Sequence, residues 1–545
     1  MSEADAHAPW RHCPDTIAAA LSRASALAGG DEYLICDGTR TRFDQMHQFA
    51  RAWARALHRI GVRKGDHVGL CIGNSREWVA GFLGLGLLGA VAVPINTRLK
   101  PAEIGFILRQ SRISTLLLAD RLLKIDFIEV LRTLAPAIDR ALPDPALPDL
   151  VRLLVLGDDV PHGAMSAAQV LNDAQADPDP ATVCAGHDPL LIQYTSGTTA
   201  FPKGAMLSQR GMLWNAYAAG HLFGLRAGAS YLSARPFFHI SGSTLSLLAA
   251  LQHTAKLVTM ARFDPGEALA LAEAERCTLF SGNDTLWMML LNHEDVGRRK
   301  LQLRGGWGAI SRSVYERIVA RFGASETSLA YGLSEASNIA MSAWWDKPED
   351  KLAGLMRPHP GLQVAIADAE SGRLLGAGET GEIVVRGWNT MLGYYGLENE
   401  TAKAFDADGW LHTGDLGTMT PDGRLAFVGR TKDIVKVGGE NVAMADVENT
   451  LHEHPEIKLA QVVGIPDARL TEVVAAFVVR LPESRLTEAD LKAWCVERMA
   501  GFKVPRRIAF VDGFEGLGIT ASSKINKKEL AAHALRIFTG NHIAP

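Results

Sequence analysis

The sequence predicts an α/β protein with a large N-terminal domain of layered α/β subdomains, a small β subdomain and a small C-terminal α+β domain. At 545 residues the chain is longer than one ordinary hydrophobic core accommodates, which indicates at least two domains. Short β-branched segments such as His67–Ile72 and Val91–Ile95 alternate with helical segments such as Phe43–Ile60. This alternation is typical of mostly parallel strands covered by helices.

Two changes in the residue pattern along the chain mark the later parts of the fold. Within 376–428, strands are separated by glycine and aspartate turns such as Asp422-Gly423, which predicts the small β subdomain. Beyond Arg430, short helices and strands alternate with more charged residues, which predicts a compact terminal domain on a short linker. The proline-rich segment 141–148 is interpreted as a surface excursion between two layers.

Composition narrows the classes of function. Hydrophobic residues make up 47% of the chain and charged residues 21%, as in a globular protein. The formal net charge of -4, without a basic arm or lysine-rich face, argues against a nucleic-acid partner because phosphate backbones are bound by clustered cations. The N-terminus has no basic region followed by an apolar run, and the C-terminus is not a peroxisomal address, so a cytoplasmic location is expected.

The cysteines predict neither a zinc site nor a disulfide framework. None of the six is paired in a Cys-x-x-Cys motif, so we expect reduced thiols. They are Cys13, Cys36, Cys71, Cys184, Cys277 and Cys495.

One apolar stretch, Val79–Ile95, raises two alternative interpretations. It is shorter than the roughly 20 residues that a membrane-spanning helix needs and contains several glycines, so we predict a buried helix followed by a strand. Its Gly84-Leu85-Gly86-Leu87-Leu88-Gly89 also matches the G-x-G-x-x-G pattern of dinucleotide-binding oxidoreductases. That pattern must open a helix directly after a strand, whereas Asn74 and Glu77 indicate a helix start that leaves these glycines inside the helix. The dinucleotide interpretation is therefore disfavoured.

The strongest chemical signal is the run Tyr194–Gly204, which reads Tyr-Thr-Ser-Gly-Thr-Thr-Ala-Phe-Pro-Lys-Gly. Hydroxyls, glycines and a lysine this close together form a loop with many hydrogen-bond donors, as a polyphosphate requires. The run is not a P-loop, because Pro202 precedes the lysine and no Gly-Lys-Ser/Thr opens a helix. It resembles the phosphate-binding signature of the adenylate-forming superfamily, which includes acyl-CoA synthetases, peptide-synthetase adenylation domains and luciferases.

Further motifs of that superfamily follow in the expected order over nearly the whole chain. The segment Pro236–His239 resembles the aromatic-histidine segment beside the acyl and ATP sites, which assigns His239 to catalysis and to the acyl pocket. The segment Tyr331–Glu335 resembles the motif whose tyrosine stacks on adenine, whose hydroxyl contacts phosphate and whose glutamate holds Mg²⁺. A carboxylate such as Glu335 suits a hard cation that also binds triphosphate oxygens.

The next motifs concern the ribose. The segment Gly409–Asp415 resembles the ribose-binding motif, and Asp415 can accept hydrogen bonds from both ribose hydroxyls at once. The resemblance also brings Arg430 to the ribose. The residues that it assigns to ATP and AMP binding are Thr195, Ser196, Gly197, Thr198, Thr199, Lys203, Gly308, Ala309, Tyr331, Gly332, Ser334, Asp415 and Arg430.

The resemblance also divides the chain into domains. It implies an N-terminal adenylation domain at 1–429, a hinge at 430–433 centred on Lys432, and a mobile C-terminal domain at 434–545. In acyl-CoA synthetases the loop equivalent to Gly438-Gly439 lines the passage for the pantetheine arm of coenzyme A. Glycine suits that position because the backbone must approach a thin ligand closely.

Near its end the chain resembles the segment that carries the catalytic lysine of the superfamily, and the family register assigns that role to Lys524 rather than to Lys527 or Lys528. The implied reaction has two half-reactions. The substrate carboxylate attacks the α-phosphorus of ATP and expels pyrophosphate, while Lys524 and Mg²⁺ offset the repulsion between the anions. The small domain then rotates about Lys432, and the thiol of coenzyme A attacks the acyl-adenylate.

Departures from the family pattern bear on affinity and specificity. Ala200 stands where glycine is usual, which costs on the order of 1 kcal/mol if the position needs a positive φ. Ser334 and Ser523 replace threonine and glycine and are compatible with activity. Trp307, within Gly306–Ala309, replaces a small residue beside adenine and the acyl pocket, so we expect it to shorten or flatten the acyl site. The hypothesis that follows is a compact aromatic, alicyclic or medium-chain acid.

Three alternatives share this fold: a ligase that loads a carrier protein, a light-emitting oxygenase and a non-catalytic nucleotide sensor. No carrier domain follows Lys524, which favours coenzyme A, but a separate carrier protein stays an open alternative. Oxygenase activity cannot be read from the sequence. A sensor is expected to lose Lys524 or Glu335, and both are present. The predicted small-molecule partners are ATP, a carboxylic acid and coenzyme A, and a homodimer stays open.

Overall fold

The computed structural model describes residues 13–181, 183–195, 202–430, 434–437, 440–467, 469–514, 517 and 526–539. The strands of the first half are β1 Glu32–Cys36, β2 Thr39–Arg42, β3 His67–Cys71, β4 Val91–Pro94, β5 Thr115–Ala119, β6 Arg121–Leu122, β7 Ile125–Asp126, β8 Arg152–Leu156, β9 Met165–Ser166, β10 Pro189–Tyr194, β11 Gly204–Ser208, β12 Ser230–Ser233, β13 Lys256–Thr259 and β14 Leu279–Ser281. Those of the second half are β15 Gly305–Gly308, β16 Ser328–Leu333, β17 Ser337–Met341, β18 Leu355–Pro358, β19 Gln363–Ala367, β20 Gly381–Arg386, β21 Gly393–Tyr394, β22 Leu411–Met419, β23 Leu425–Arg430, β24 Ile434–Val437, β25 Glu440–Ala443, β26 Ile457–Asp467, β27 Thr471–Arg480 and β28 Arg507–Phe510.

The helices lie between and around these strands. They are α1 Ile17–Ala28, α2 Phe43–Arg59, α3 Arg76–Leu88, α4 Pro101–Gln110, α5 Phe127–Leu134, α6 Ala167–Asp173, α7 Gln209–Leu222, α8 Ile240–Gly242, α9 Ala249–His253, α10 Pro265–Ala274, α11 Asp284–Leu291, α12 Arg312–Phe322, α13 Pro348–Leu352, α14 Glu398–Ala404, α15 Met444–His452, α16 Glu488–Arg498 and α17 Lys527–Thr539. A π-helical segment, Ser243–Leu248, joins α8 to α9, and 3-10 turns cover Pro136–Asp139 and Glu294–Gly297. Across the described ranges, none of the helices combines the length and apolarity that crossing a bilayer demands.

Two large sheets form the N-terminal region. One has the order β21-β11-β10-β4-β3-β5-β8-β9, and its strands from β10 to β9 are parallel. The other begins as a parallel array of β1, β13, β12, β14, β15 and β16. From β16 it continues as the antiparallel series β17, β18, β23, β22, β20 and β19. The predicted α/β layering and the small β subdomain are confirmed.

The C-terminal region has its own sheet and its own core. Strands β25, β24, β27 and β26 form an antiparallel sheet that β28 joins in parallel. Its buried residues, from Val435 to Ala534, pack into a hydrophobic cluster drawn from this part of the chain alone. The predicted small terminal domain of mixed helices and strands is therefore present.

Gly81, Gly84 and Gly86 of the apolar stretch lie inside α3, as predicted, whereas Gly89 caps its C-terminus with a φ of +73°. The Ser75 hydroxyl accepts a hydrogen bond from the backbone N–H of Trp78 at 3.1 Å and caps the helix. A Cβ atom on Gly84 would lie 2.8 Å from the Cβ of Trp53 and 2.9 Å from the carbonyl oxygen of Ala50, both in α2. These glycines therefore let two helices approach each other closely, and no dinucleotide loop is formed.

We expect Gly84→Ala to lower the midpoint of thermal unfolding. The higher helix propensity of alanine is worth about 1 kcal/mol, but overpacking against α2 costs typically about 1–3 kcal/mol. Gly81→Ala is the matched control, because a Cβ there meets one side-chain atom, Leu117 Cδ2, at 3.3 Å. A Gly84→Ala midpoint that rises as much as that of Gly81→Ala would contradict the close contact between the helices.

Candidate active site

The hairpin between β16 and β17 presents the predicted adenine and metal residues. The N–H of Ala336 bonds to the carbonyl of Leu333 at 3.2 Å, which makes a tight turn around Ser334 and Glu335. A Cβ atom on Gly332 would lie 1.9 Å from the carbonyl oxygen of Ser337, so only glycine lets the two strands meet here.

Tyr331, Asp415 and Arg430 are brought together around one buried carboxylate. The Tyr331 hydroxyl donates to Asp415 Oδ2 at 2.9 Å, and Arg430 Nε lies 3.3 Å from Asp415 Oδ1. Asp415 is only 5% exposed, and it pairs across β22 and β23 with Arg430. Burial raises the pKa of Tyr331 well above its usual range and the adjacent Asp415 carboxylate adds to the shift, so the phenol stays protonated and donates.

Both oxygens of Asp415 are thus oriented by their neighbours. A carboxylate oxygen has two lone pairs and can accept more than one hydrogen bond at once. The cluster is therefore a fixed acceptor of the kind that a vicinal diol such as ribose would use.

The ends of the predicted phosphate loop are held in the other large sheet. Strand β10 ends at Tyr194 and β11 begins at Gly204, and the Thr195 N–H donates to the carbonyl of Lys203 at 3.0 Å. The Lys203 ammonium lies 2.5 Å from Glu400 Oε2 and 5.0 Å from the centre of the Tyr394 ring. Lys203, then Lys403, lowers the pKa of Glu400 to about 2, so this carboxylate stays ionised at any working pH.

Glu335 is half-buried, and it is held by Tyr394 in the short strand β21. The Tyr394 hydroxyl donates to Glu335 Oε1 at 2.8 Å. The backbone is fixed as well, because the N–H of Met391 donates to the carbonyl of Glu335 at 2.7 Å. Lys203 and Glu335 therefore contact the same side chain, Tyr394, from different directions.

His239 caps the short helix α8, and its ring is oriented by that turn. The Ser241 N–H donates to His239 Nδ1 at 3.2 Å, and the Ser241 hydroxyl lies 3.0 Å from the same nitrogen. Because Nδ1 accepts a backbone N–H, we assign the proton of the neutral ring to Nε2. The turn is tied to β10 through Gln193 Nε2, which donates to the carbonyl of Phe238 at 3.2 Å.

Trp307 is buried, with 3% of its surface exposed, on β15. Its Nε1 donates to the Tyr231 hydroxyl at 2.6 Å, and its ring centre lies 6.3 Å from that of Phe223 at the end of α7. The next residue, Gly308, approaches backbone so closely that a Cβ would lie 1.8 Å from the carbonyl oxygen of Gly282. Ala309 follows directly after the strand.

A cavity of about 110 Å³ opens beside this region and is lined by three arginines. The Arg235 guanidinium lies 5.2 Å from the centre of the Trp307 ring, and its buried Nε has no hydrogen-bond acceptor. Burial lowers the pKa of Arg235 to about 10. Arg98 and Arg262 line the same cavity, and the pKa of Arg98 is lowered first by partial desolvation and then by the charge of Arg262. No carboxylate is among the lining residues, so this cavity suits an anion.

Several predicted residues lie outside the described ranges. They are Ser196, Gly197, Thr198, Thr199, Lys432, Gly438, Gly439 and Lys524.

Two family models match the chain and together cover most of it. That of the AMP-binding enzyme matches residues 21–395, and that of the AMP-binding enzyme C-terminal domain matches residues 446–524. The chain belongs to the AMP-binding enzyme family. The resemblance to the adenylate-forming superfamily is thereby confirmed.

Similar proteins of this family match over nearly their full length. The 3-[(3aS,4S,7aS)-7a-methyl-1,5-dioxo-octahydro-1H-inden-4-yl]propanoyl:CoA ligase of Rhodococcus jostii is 35% identical, covering 95% of this chain and 98% of the relative. The mitochondrial medium-chain acyl-CoA ligase ACSF2 of Danio rerio is 31% identical, covering 91% of this chain and 84% of the relative. The crystal structure of the anthranilate CoA ligase AuaEII with anthranoyl-AMP has a TM-score of 0.83 at 27% identity, covering 95% of this chain and 97% of that chain. The predicted enzyme class, an AMP-forming acid-CoA ligase, is confirmed.

Tyr394 and Glu400 of this AMP-binding enzyme were not predicted from the sequence. They lie about two hundred positions beyond Lys203, and only the pairing of β21 with β11 brings them to it. Neither lies in a segment with a local signature of phosphate or metal chemistry.

We expect Asp415→Ala to weaken ATP binding by at least about tenfold. The substitution removes the acceptor of Tyr331 and Arg430 together with any bonds to the nucleotide, and one hydrogen bond to a charged group is worth roughly 1.5–3 kcal/mol. The measurement is equilibrium binding of ATP by calorimetry. Asp422→Ala, in an exposed turn of the same subdomain, is the control and should bind ATP like the wild type. Equal affinities of the two variants would remove Asp415 from the nucleotide site.

Proposed function

We propose that this acid-CoA ligase activates a compact aromatic, alicyclic or medium-chain acid, with Mg²⁺ held by Glu335, and transfers the acyl group to coenzyme A. The proposal rests on one arrangement in the sheet. The cluster of Asp415, Tyr331 and Arg430 and the buried Trp307 lie on adjoining parts of that sheet. The first feature supports adenylation and the second supports a short acyl site.

In the first half-reaction, the acid carboxylate attacks the α-phosphorus of ATP and the bond to pyrophosphate breaks. Tyr331 packs against adenine, while Asp415 and Arg430 hold the ribose. Lys203 and the hydroxyl-rich loop before it, Thr195–Thr199, bind the phosphates, and Gly308 and Ala309 allow the adenine to approach the backbone. No protein nucleophile is needed, because positioning and charge stabilisation suffice for phosphoryl transfer.

Glu335 fits the role of a magnesium ligand. It supplies a hard carboxylate oxygen, and Mg²⁺ usually takes one or two protein carboxylates while phosphate and water complete its shell. When bound, the ion would neutralise charge on the phosphate oxygens.

His239 and Lys524 supply the remaining charge stabilisation. We propose that the Nε2–H of His239 donates to an oxygen of the acid or of the α-phosphate, with the ring oriented by the contact of Nδ1 with Ser241. The assignment of Lys524 gains support from Lys527, whose ammonium bonds within its own domain to Glu448 and, at 2.9 Å, to the carbonyl of Val462. The Lys527 ammonium is therefore occupied by contacts within its own domain.

In the second half-reaction, the coenzyme A thiol attacks the acyl carbon and AMP leaves. We propose that rotation about Lys432, in a hinge at 430–433, brings the Gly438-Gly439 loop to the site for this step. Relatives named as CoA ligases favour coenzyme A over a carrier protein.

Trp307 bears on the identity of the acid. Its indole packs with Tyr231 and Phe223 between β15 and the end of α7, and we propose that this packing shortens the acyl site. Three of the similar proteins are named for an anthranilate, a bicyclic propanoate and medium-chain acids. The substrate class of this chain is inferred from these two observations together.

We expect Trp307→Ala to extend the range of accepted chain lengths. The test compares kcat/KM for fatty acids of increasing length and for benzoate between this variant and the wild type. Trp287→Ala is the matched control, since Trp287 is also fully buried but packs on the far side against Phe280 and Phe322. Both lose stability, on the order of 3–5 kcal/mol, but only Trp307→Ala should shift the optimum to longer chains. An unshifted profile would remove Trp307 from the acyl site.

A further inference from the structure

The side chain of Tyr394 contacts the two charged groups that the proposed function places at the triphosphate. Its ring faces the ammonium of Lys203, 5.0 Å from the ring centre, and its hydroxyl donates to Glu335 Oε1 at 2.8 Å. The first contact is a cation–π interaction and the second a hydrogen bond to a carboxylate. One phenol thus touches the lysine of the phosphate loop and the proposed magnesium ligand.

The backbone of Tyr394 is fixed on both sides. Strand β21 pairs with β11, with Tyr394 opposite Ala205, directly after the phosphate loop. The Tyr394 N–H donates to Thr401 Oγ1 at 2.9 Å. Gly393 has a φ of +139° and a Cβ there would lie 3.1 Å from Thr401 Cγ2, so glycine is required just before the tyrosine. A side chain on a strand constrained in this way can fix the positions of the groups that it contacts.

Lys203 has a second fixed contact besides the Tyr394 ring. The charge of Lys203 is balanced from another direction by Glu400, at 2.5 Å. Lys203 and Glu335 are therefore each oriented by a neighbour, so they need not pair with one another.

We infer that Tyr394 is a positioning residue that holds Lys203 and Glu335 in the arrangement that receives magnesium-bound ATP. This inference rests on the proposed magnesium role of Glu335. The hydroxyl sets the direction of the carboxylate, and the ring sets the position of the ammonium. Tyr394 itself need not touch the reacting atoms.

The test is calorimetric binding of ATP to the full chain over a series of Mg²⁺ concentrations, without acid so that no turnover occurs. Tyr394→Phe removes the hydroxyl and keeps the ring. We expect the Mg²⁺ concentration for half-maximal ATP binding to rise about tenfold, with ATP affinity at saturating Mg²⁺ within about twofold of wild type. Tyr394→Leu also removes the ring and should weaken ATP binding at saturating Mg²⁺ by a further factor of about three.

Tyr395→Phe is the matched control. Tyr395 is the next residue, but its ring packs edge-on against His67 at 4.5 Å, away from Lys203 and Glu335. It should bind Mg²⁺ and ATP like the wild type, and the thermal midpoints of Tyr394→Phe and Tyr395→Phe should agree. If the wild type requires Mg²⁺ and Tyr394→Phe keeps the wild-type Mg²⁺ midpoint, the inference is overturned while the proposed function stands. If ATP binding by the wild type is independent of Mg²⁺, the magnesium role of Glu335 fails and the inference fails with it.

Discussion

The rest of the proposed nucleotide site depends on the contacts that the buried carboxylate of Asp415 makes with Tyr331 and Arg430. A charge so far removed from water is tolerated only when hydrogen-bond donors and opposite charge compensate it. Tyr331 and Arg430 provide both, and they come from two other strands of the same sheet. Strands β16, β22 and β23 must therefore keep a common arrangement for the buried carboxylate to keep these contacts.

A second set of contacts joins this cluster to the other large sheet. The turn that follows Tyr331 presents Glu335, whose side chain and backbone bond to Tyr394 and Met391. The strand of Tyr394 is in turn the edge of the sheet that carries the phosphate loop. The groups that we propose for ribose, metal and phosphate thus come from two sheets but are linked by a few hydrogen bonds, which explains how one site can span separate layers.

Much of this architecture follows from local sequence, and the exceptions have physical reasons. The hydrophobic periodicity of residues 43–60 predicted a helix, and the helix in the structure ends at Arg59, one residue earlier. Helix α3 begins directly after its cap, Ser75, so Gly84 and Gly86 lie inside it. Motif order predicted Tyr331 and Asp415 for the nucleotide site, and the structure brings the two side chains into contact. It could not find Tyr394, since strand pairing over long sequence distances leaves no local pattern. The partner of Trp307, Tyr231, was hidden for the same reason.

The central claim, that the acid is activated as an acyl-adenylate, is tested most directly by following the carboxylate oxygen. The acid is labelled with ¹⁸O in its carboxylate and incubated with the enzyme, ATP, Mg²⁺ and coenzyme A, and the nucleotide products are analysed by mass spectrometry. Attack on the α-phosphorus transfers one labelled oxygen to AMP and leaves pyrophosphate unlabelled. Formation of ADP, with the label in orthophosphate, would show activation at the terminal phosphate and would contradict the account.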